Sequence, residues 1–236
     1  MKATKSQMNS TEFVREELQK NIDKKYRAFH ASLVPGIGTF LGVRVPVLRQ
    51  IAKQVAKDDY QSYIENADMS IYEECMIRGM LIGYAKLSKE EQRQQLREFV
   101  PYINNWAICD CCCTTYKFMK KNREEWFAFL NEYLQSTETY RIRFAVVCML
   151  DFFIEEAYID EVLQRLLQIS SEEYYVKMAV AWALSMCFVK FPEKTESVLE
   201  SAQLDEETRK KAVQKIRESL QVSKEEKARL KEKFTK

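Results

Sequence analysis

Apolar side chains recur three and four positions apart along most of the chain, over approximately 10–29, 46–57, 70–87, 101–121, 139–155, 173–190 and 206–219. Shorter, charge-rich amphipathic stretches such as 88–100, 123–136 and 158–169 lie between them. Helix starts are marked by Ser followed three residues later by Glu, at Ser88/Glu91, Ser170/Glu173 and Ser223/Glu226, where hydroxyl and carboxylate can cap reciprocally. Pro46 and Pro192 suit first helical turns. No stretch alternates with the two-residue period of a strand, so the pattern predicts helix almost throughout. The Gly-rich string PGIGTFLG reads as a bend between the first helices, and no strand precedes it as a nucleotide-binding loop requires. The tail SKEEKARLKEKFTK reads as a terminal amphipathic helix.

A mostly apolar helix followed by an amphipathic one is what stacked helix pairs need, because an inner helix is covered on several sides and an outer helix on one. Single ionic residues inside the apolar segments fall at Arg78, Asp110, Arg143, Lys177 and Lys211, at intervals of 32, 33, 34 and 34 residues. That period matches helix-pair repeats and predicts a curved stack of five or six pairs forming one domain over 1–236, with these side chains aligned along one surface.

Composition narrows the possibilities. With 46% apolar residues the chain is too hydrophobic to be disordered, and 5 Gly and 4 Pro are too few for a many-stranded β fold. The 37 Lys and Arg nearly balance 35 Asp and Glu, so a nucleic-acid partner would have to meet a segregated basic face rather than the overall charge. Asp151 and Lys177 interrupt the two longest apolar runs and MKATKSQ has no signal-peptide core, which predicts a soluble, cytoplasmic protein with no membrane association. Of 7 cysteines, Cys109, Cys111, Cys112 and Cys113 crowd one helical run that also holds the only CxxC, while the sole histidine, His30, is far away. Reduced thiols acting as small buried hydrophobes account for this pattern, and no metal site is expected.

The intruding charges carry the candidate chemistry. Arg143 in IRFAVVCMLDFF requires a partner or a wet cleft, because burying it alone would cost several kcal/mol. Asp110 in NNWAICDCCC poses the same problem, and Trp106, four positions earlier, shares its helical face. Lys177 and Trp182 bring a cation and an indole into YYVKMAVAWALSMCF. Two readings remain open from the residues alone. One is a structural Asp110–Arg143 ion pair with core tryptophans; the other is a functional cleft.

The ordered strings LGVRVPVLRQIAK, NNWAICD, YRIRFAVV, YYVKMAVAWALS and KAVQKIRES, with their spacing over about residues 20–220, resemble the AlkD-like DNA alkylation repair family, the HEAT-like-repeat alkylpurine DNA glycosylases. The resemblance implies an all-α, right-handed α-solenoid of HEAT-like helix pairs whose concave face binds double-stranded DNA. It also implies excision of cationic N3- or N7-alkylated purines without deep base flipping, by a monomer that needs no cofactor. The family's Trp-x-x-x-Asp motif falls on Trp106 and the catalytic Asp110, its cleft arginine on Arg143 and its second cleft tryptophan on Trp182. Backbone phosphates would be held by Lys177, Lys211, Lys215, Arg217 and Arg44. Asn105 stands where active members commonly carry a second aromatic, and the possible N-terminal aromatics are Tyr26 and Phe29. The alternative implied function is a DNA-binding module for damaged or branched DNA without excision; a protein-binding scaffold is the third class.

Overall fold

The computed structural model describes residues 9–34 and 36–234 and shows an all-helical protein. By its internal packing the chain divides into two compact units, Met1–Phe118 and Met119–Lys236.

The first unit begins with α1 (Ser10–Lys20) and α2 (Lys24–Leu33). The single apolar segment expected over 10–29 is two helices because the Asp23 carboxylate accepts from the backbone N–H groups of Lys25 and Tyr26 and starts a new helix. The glycine-rich bend follows, with Gly42 at φ +98°. A side chain there would be strained in backbone and would meet Arg27 Cβ at 2.6 Å, so the close approach of the bend to α2 requires glycine.

Next come α3 (Val45–Val55), α4 (Tyr60–Asn66), α5 (Tyr72–Tyr84), α6 (Lys89–Phe99) and α7 (Trp106–Cys113). Helix α5 is buried along nearly its whole length between α3 and α7, with α4 and α6 on its other flanks. Gly79 makes that packing possible, since a Cβ would collide with Phe99 and with Cys112 of α7. The cysteines of α7 are thus small apolar residues on a tight helix interface. Six of the seven are buried and Cys111 is partly exposed, as the reading of small buried hydrophobes anticipated.

The second unit contains α8 (Arg123–Leu134), α9 (Thr139–Phe152), α10 (Ile159–Gln168), α11 (Tyr174–Lys190), α12 (Pro192–Glu200), α13 (Glu206–Glu218) and α14 (Lys224–Phe234). Helix α11 is sandwiched between α9 and α13; α8, α10, α12 and α14 cover the outside. The ionic residues of the 32- to 34-residue series lie on successive inner helices: Arg78 on α5, Asp110 on α7, Arg143 on α9, Lys177 on α11 and Lys211 on α13.

Two of the three capping boxes are present in part or whole. Ser88 caps α6 with the full reciprocal pair, and Ser223 Oγ accepts from Glu226 N–H at the start of α14. The Ser170 box is corrected: α11 starts at Tyr174 with Glu173 as its cap, and Ser171 Oγ accepts from Glu173 N–H instead. Apolar density around 101–121 also concealed a break, since α7 is bounded by 3₁₀ turns at Val100–Tyr102 and Lys117–Lys120. Among the described residues the only β pairing is an isolated bridge between Thr39 and Ile71.

Candidate functional site

Asn105 sets the site's geometry. It is 1% exposed, and its Oδ1 accepts from Ile108 N–H at 3.0 Å, so α7 begins at Trp106 and projects Trp106 and Asp110 from one face, a turn apart. The position where an aromatic was a possibility is therefore occupied by the helix cap. Trp106 and Asp110 are both partly exposed.

The indole is fixed from α2. Trp106 Nε1 donates to the Leu33 carbonyl at 3.2 Å, and its ring lies 6.4 Å from the His30 ring. His30 is the hub of an aromatic nest. Tyr26 stacks on it at 5.2 Å and 26°, Phe40 and Tyr72 flank it at 5.2 and 5.7 Å, and its Nε2 is 3.0 Å from the Tyr72 hydroxyl. Burial holds the His30 pKa below the ordinary histidine range and pushes the Tyr72 phenol up. The nest is therefore neutral at pH 7, and its contribution is shape and π surface rather than charge.

The far end of α7 is tied as firmly. Arg49 on α3 reaches across to donate from Nη2 to the Cys111 carbonyl at 3.2 Å and to Thr114 Oγ1 at 2.9 Å, while Nη1 holds the Tyr84 hydroxyl at 3.2 Å. A guanidinium at a helix C-terminus also complements the macrodipole. The bend that carries Phe40 is clamped by Glu73, fully buried on α5, whose carboxylate accepts from the N–H groups of Leu41, Gly42 and Val43 at 3.1, 2.7 and 3.1 Å. Both ends of the helix that presents Asp110 are thus anchored.

Other sequence candidates occupy distinct environments. Arg44 lies 4.8 Å over the Tyr26 ring and donates from Nε and Nη2 to Asp23 Oδ2 at 3.1 and 2.9 Å. In the second unit Arg143 is 6% exposed and its Nη1 donates to the Tyr175 carbonyl at 2.9 Å, tying α9 to α11. Trp182 is partly exposed on α11. Lys211 and Lys215 are partly exposed one turn apart on α13, and Arg217 is exposed near its end.

Lys177 is the most constrained of these. Its Nζ lies 2.9 Å from Glu172, 3.2 Å from Glu207 and 3.5 Å from Asp205, and its side chain is 9% exposed. These carboxylates, Glu172 first, hold its pKa above the ordinary lysine range. A phosphate would have to compete with three carboxylates for this ammonium, so geometry gives Lys177 the task of joining the N-terminal ends of α11 and α13.

Arg49, Glu73 and the nest around His30 escaped the sequence reading. The available signals were a lone histidine and the Glu73–Glu74 pair inside an apolar segment, both subject to the same burial argument that singled out Asp110.

No described helix is long and apolar enough to cross a membrane. No curated protein matches the chain. The family model of the DNA alkylation repair enzymes matches residues 14–220, which include Trp106, Trp182, Asp110, Arg143 and the cationic positions on α11 and α13. With that match over most of its length, the chain belongs to the DNA alkylation repair enzyme family.

Proposed function

We propose that the protein is a DNA N-glycosylase that removes cationic N3- or N7-alkylated purines from duplex DNA. The observation that carries the reading is the pairing on α7 of a partly exposed indole, anchored through the Leu33 carbonyl, with a carboxylate one turn later. An alkylated purine already bears positive charge, so its glycosidic bond is weakened and the leaving base needs no general acid. The remaining task is to stabilise an oxocarbenium-like sugar and to place a water. Asp110 does this electrostatically and as a base, and the face of Trp106 attracts the developing positive charge.

Arg143 and Trp182 are assigned to the same substrate by the family resemblance, as are Lys211, Lys215 and Arg217 as phosphate contacts. Arg143 cannot act as a base at neutral pH, because a guanidinium keeps its proton. The test is release of 3-methyladenine and 7-methylguanine from methylated duplex. Asp110→Asn retains shape but removes charge, and is expected to slow single-turnover release by roughly 10²-fold or more with binding nearly unchanged. A folded Asn variant that excises at the parent rate would end the catalytic assignment.

The second reading, DNA binding without excision, is favoured by Asn105, which caps α7 from inside the fold and offers no second ring to the substrate. It predicts lesion-dependent binding with no base released by the parent protein.

A further inference from the structure

We propose that α2 is a DNA-contacting helix: Lys24, Lys25 and Arg27 hold backbone phosphates, while Phe29 and Leu33 press an apolar edge against sugar and base edges beside Trp106. The inference rests on the reading of duplex DNA as the partner. It is carried by two independent features of α2.

The first is charge placed against the helix. The sequence KKYRAFHASL contains no carboxylate, and its first turn carries cations where the macrodipole favours anions. By comparison, α5, α6, α8, α10, α13 and α14 carry two acidic residues in the first turn, while α3, α4, α7, α9 and α11 carry none. Lys24, Lys25 and Arg27 are exposed, and among the described residues none of the three is in an ion pair. The nearby Asp23 carboxylate already caps α2 and binds Arg44. With Asp23 so engaged, Lys24, Lys25 and Arg27 are three exposed cations within one turn that have no carboxylate partner among the described residues, and an anionic partner would supply the countercharge.

The second is an apolar edge continuous with the indole. Phe29 is 62% exposed and Leu33 47%, one turn apart. At about 100° per residue, Phe29, Leu33, Tyr26 and His30 fall within an arc of about 100° on α2. His30 and the Leu33 carbonyl on that arc are the groups that touch Trp106, so the exposed pair borders the side of α2 facing the indole. Two side chains are too small a patch for a stable protein interface, which buries about 800 Å² on each partner. They suffice for a wedge at one base step, the use to which Phe and Leu are put in minor-groove binders.

The experiment uses the full chain and a duplex carrying one 7-methylguanine beside 2-aminopurine, with Asp110→Asn added to every protein so that the base stays in place. Changing Lys24, Lys25 and Arg27 together to Gln is expected to flatten log K against log salt by two to three units, about 0.9 for each phosphate no longer neutralised. The Phe29→Ala, Leu33→Ala double variant is expected to keep the slope, abolish the rise in 2-aminopurine fluorescence on binding and weaken binding about tenfold, the loss of discrimination expected for one good base-edge interaction. Melts should show both variants folded, the Gln triple at or above the parent Tm because it relieves the dipole conflict.

An unchanged slope in the triple variant, or unchanged fluorescence in the double, overturns the proposal. So does a parent dimer that the double variant converts to monomer, which would make the edge a self-association surface. Excision by the protein without the Asp110 change is scored separately: binding with α2-dependent readouts and no base release keeps this inference and removes the glycosylase reading, whereas excision with silent α2 variants does the reverse. A parent that does not bind the duplex overturns both.

Discussion

The corner around Trp106 and the corner around Lys177 start from the same sequence signal, a charged residue and an indole in an apolar inner helix, and are built from opposite materials. At the first, the fixing groups have neutral partners: an indole N–H on a carbonyl, a histidine within four aromatic rings, the Arg49 guanidinium on a carbonyl and two hydroxyls, and a buried carboxylate on backbone amides. At the second, side-chain ions do the fixing: Lys177 among Glu172, Asp205 and Glu207. The same unit adds Lys194 between Glu156 and Asp160, and Glu196 between Arg229 and Lys233. Contacts with neutral partners are little affected by salt or by a nearby polyanion, whereas pairs between exposed side-chain ions are weakened by both. The contrast accords with the substrate-facing role proposed for the first corner, and it makes Lys177 a tie between helices.

The sharpest way to break the first corner is to remove Glu73. Glu73→Ala leaves the N–H groups of Leu41, Gly42 and Val43 without their acceptor inside the fold, and at 1–3 kcal/mol for each orphaned buried donor the expected loss is about 4 kcal/mol or more. Denaturant unfolding measures it. A loss below about 1 kcal/mol would mean that the bend is held by its glycine geometry and not by the carboxylate.

The second corner breaks in a different way. Lys177→Met should lower Tm, because Glu172, Asp205 and Glu207 are left to repel one another, and should leave the salt dependence of DNA binding unchanged. A slope flattened by about one unit would instead return Lys177 to the phosphate-binding set.

Acid sharpens the comparison next. Arg229 above all, with Lys233, holds the Glu196 carboxyl at about 2, well below its ordinary value. A depressed carboxylate pKa contributes stability that is complete above the unfolded value and disappears as pH falls from about 4.5 towards 2. Because Arg229 and Lys233 are half exposed, the contribution is about 1–2 kcal/mol. Glu196→Gln should remove that part of the acid sensitivity, read as parallel melts of parent and variant from pH 5 to 3. Raised salt should imitate the variant at pH 7 and leave the environment of Trp106 untouched.

The sequence carried the architecture well and the partners poorly. A period of 32 to 34 residues in charged positions placed five residues on successive inner helices, because an inner helix tolerates an ion only where it can reach solvent or a partner. It did not separate Asp110 from Lys177, since the carboxylates that surround Lys177 come from the turn before α11 and the start of α13, outside the apolar helix that drew notice. The split of 10–29 into two helices rests on a single cap at Asp23, which weighs little against twenty residues of apolar periodicity. The resemblance offered Tyr26 and Phe29 alike as N-terminal aromatics and did not single out Leu33; burial is what separates the exposed Phe29 and Leu33 from His30 between them.

The smallest expected effect tests the neutrality of the first corner. His30 is the only histidine of the chain, so its ring resonances can be followed by NMR without assignment. Burial lowers its pKa, which means the unfolded chain takes up a proton before the folded one does. The stability it contributes is therefore complete above the ordinary value of about 6.5 and declines as pH falls through the lowered folded value. Protonation would place a cation 6.4 Å from the Trp106 ring and against Tyr26, Phe40 and Tyr72, with its Nε2 hydrogen bond to Tyr72 restricted to donation. Trp106 fluorescence, taken as the difference between the parent and Trp106→Phe, should change with the same midpoint as the His30 resonance. A His30→Gln variant should abolish that step while keeping the Glu196 transition at lower pH. A His30 titration at or above 6.5 would show that the nest admits water and charge, and the distinction between a neutral corner and an ionic one would lose its basis.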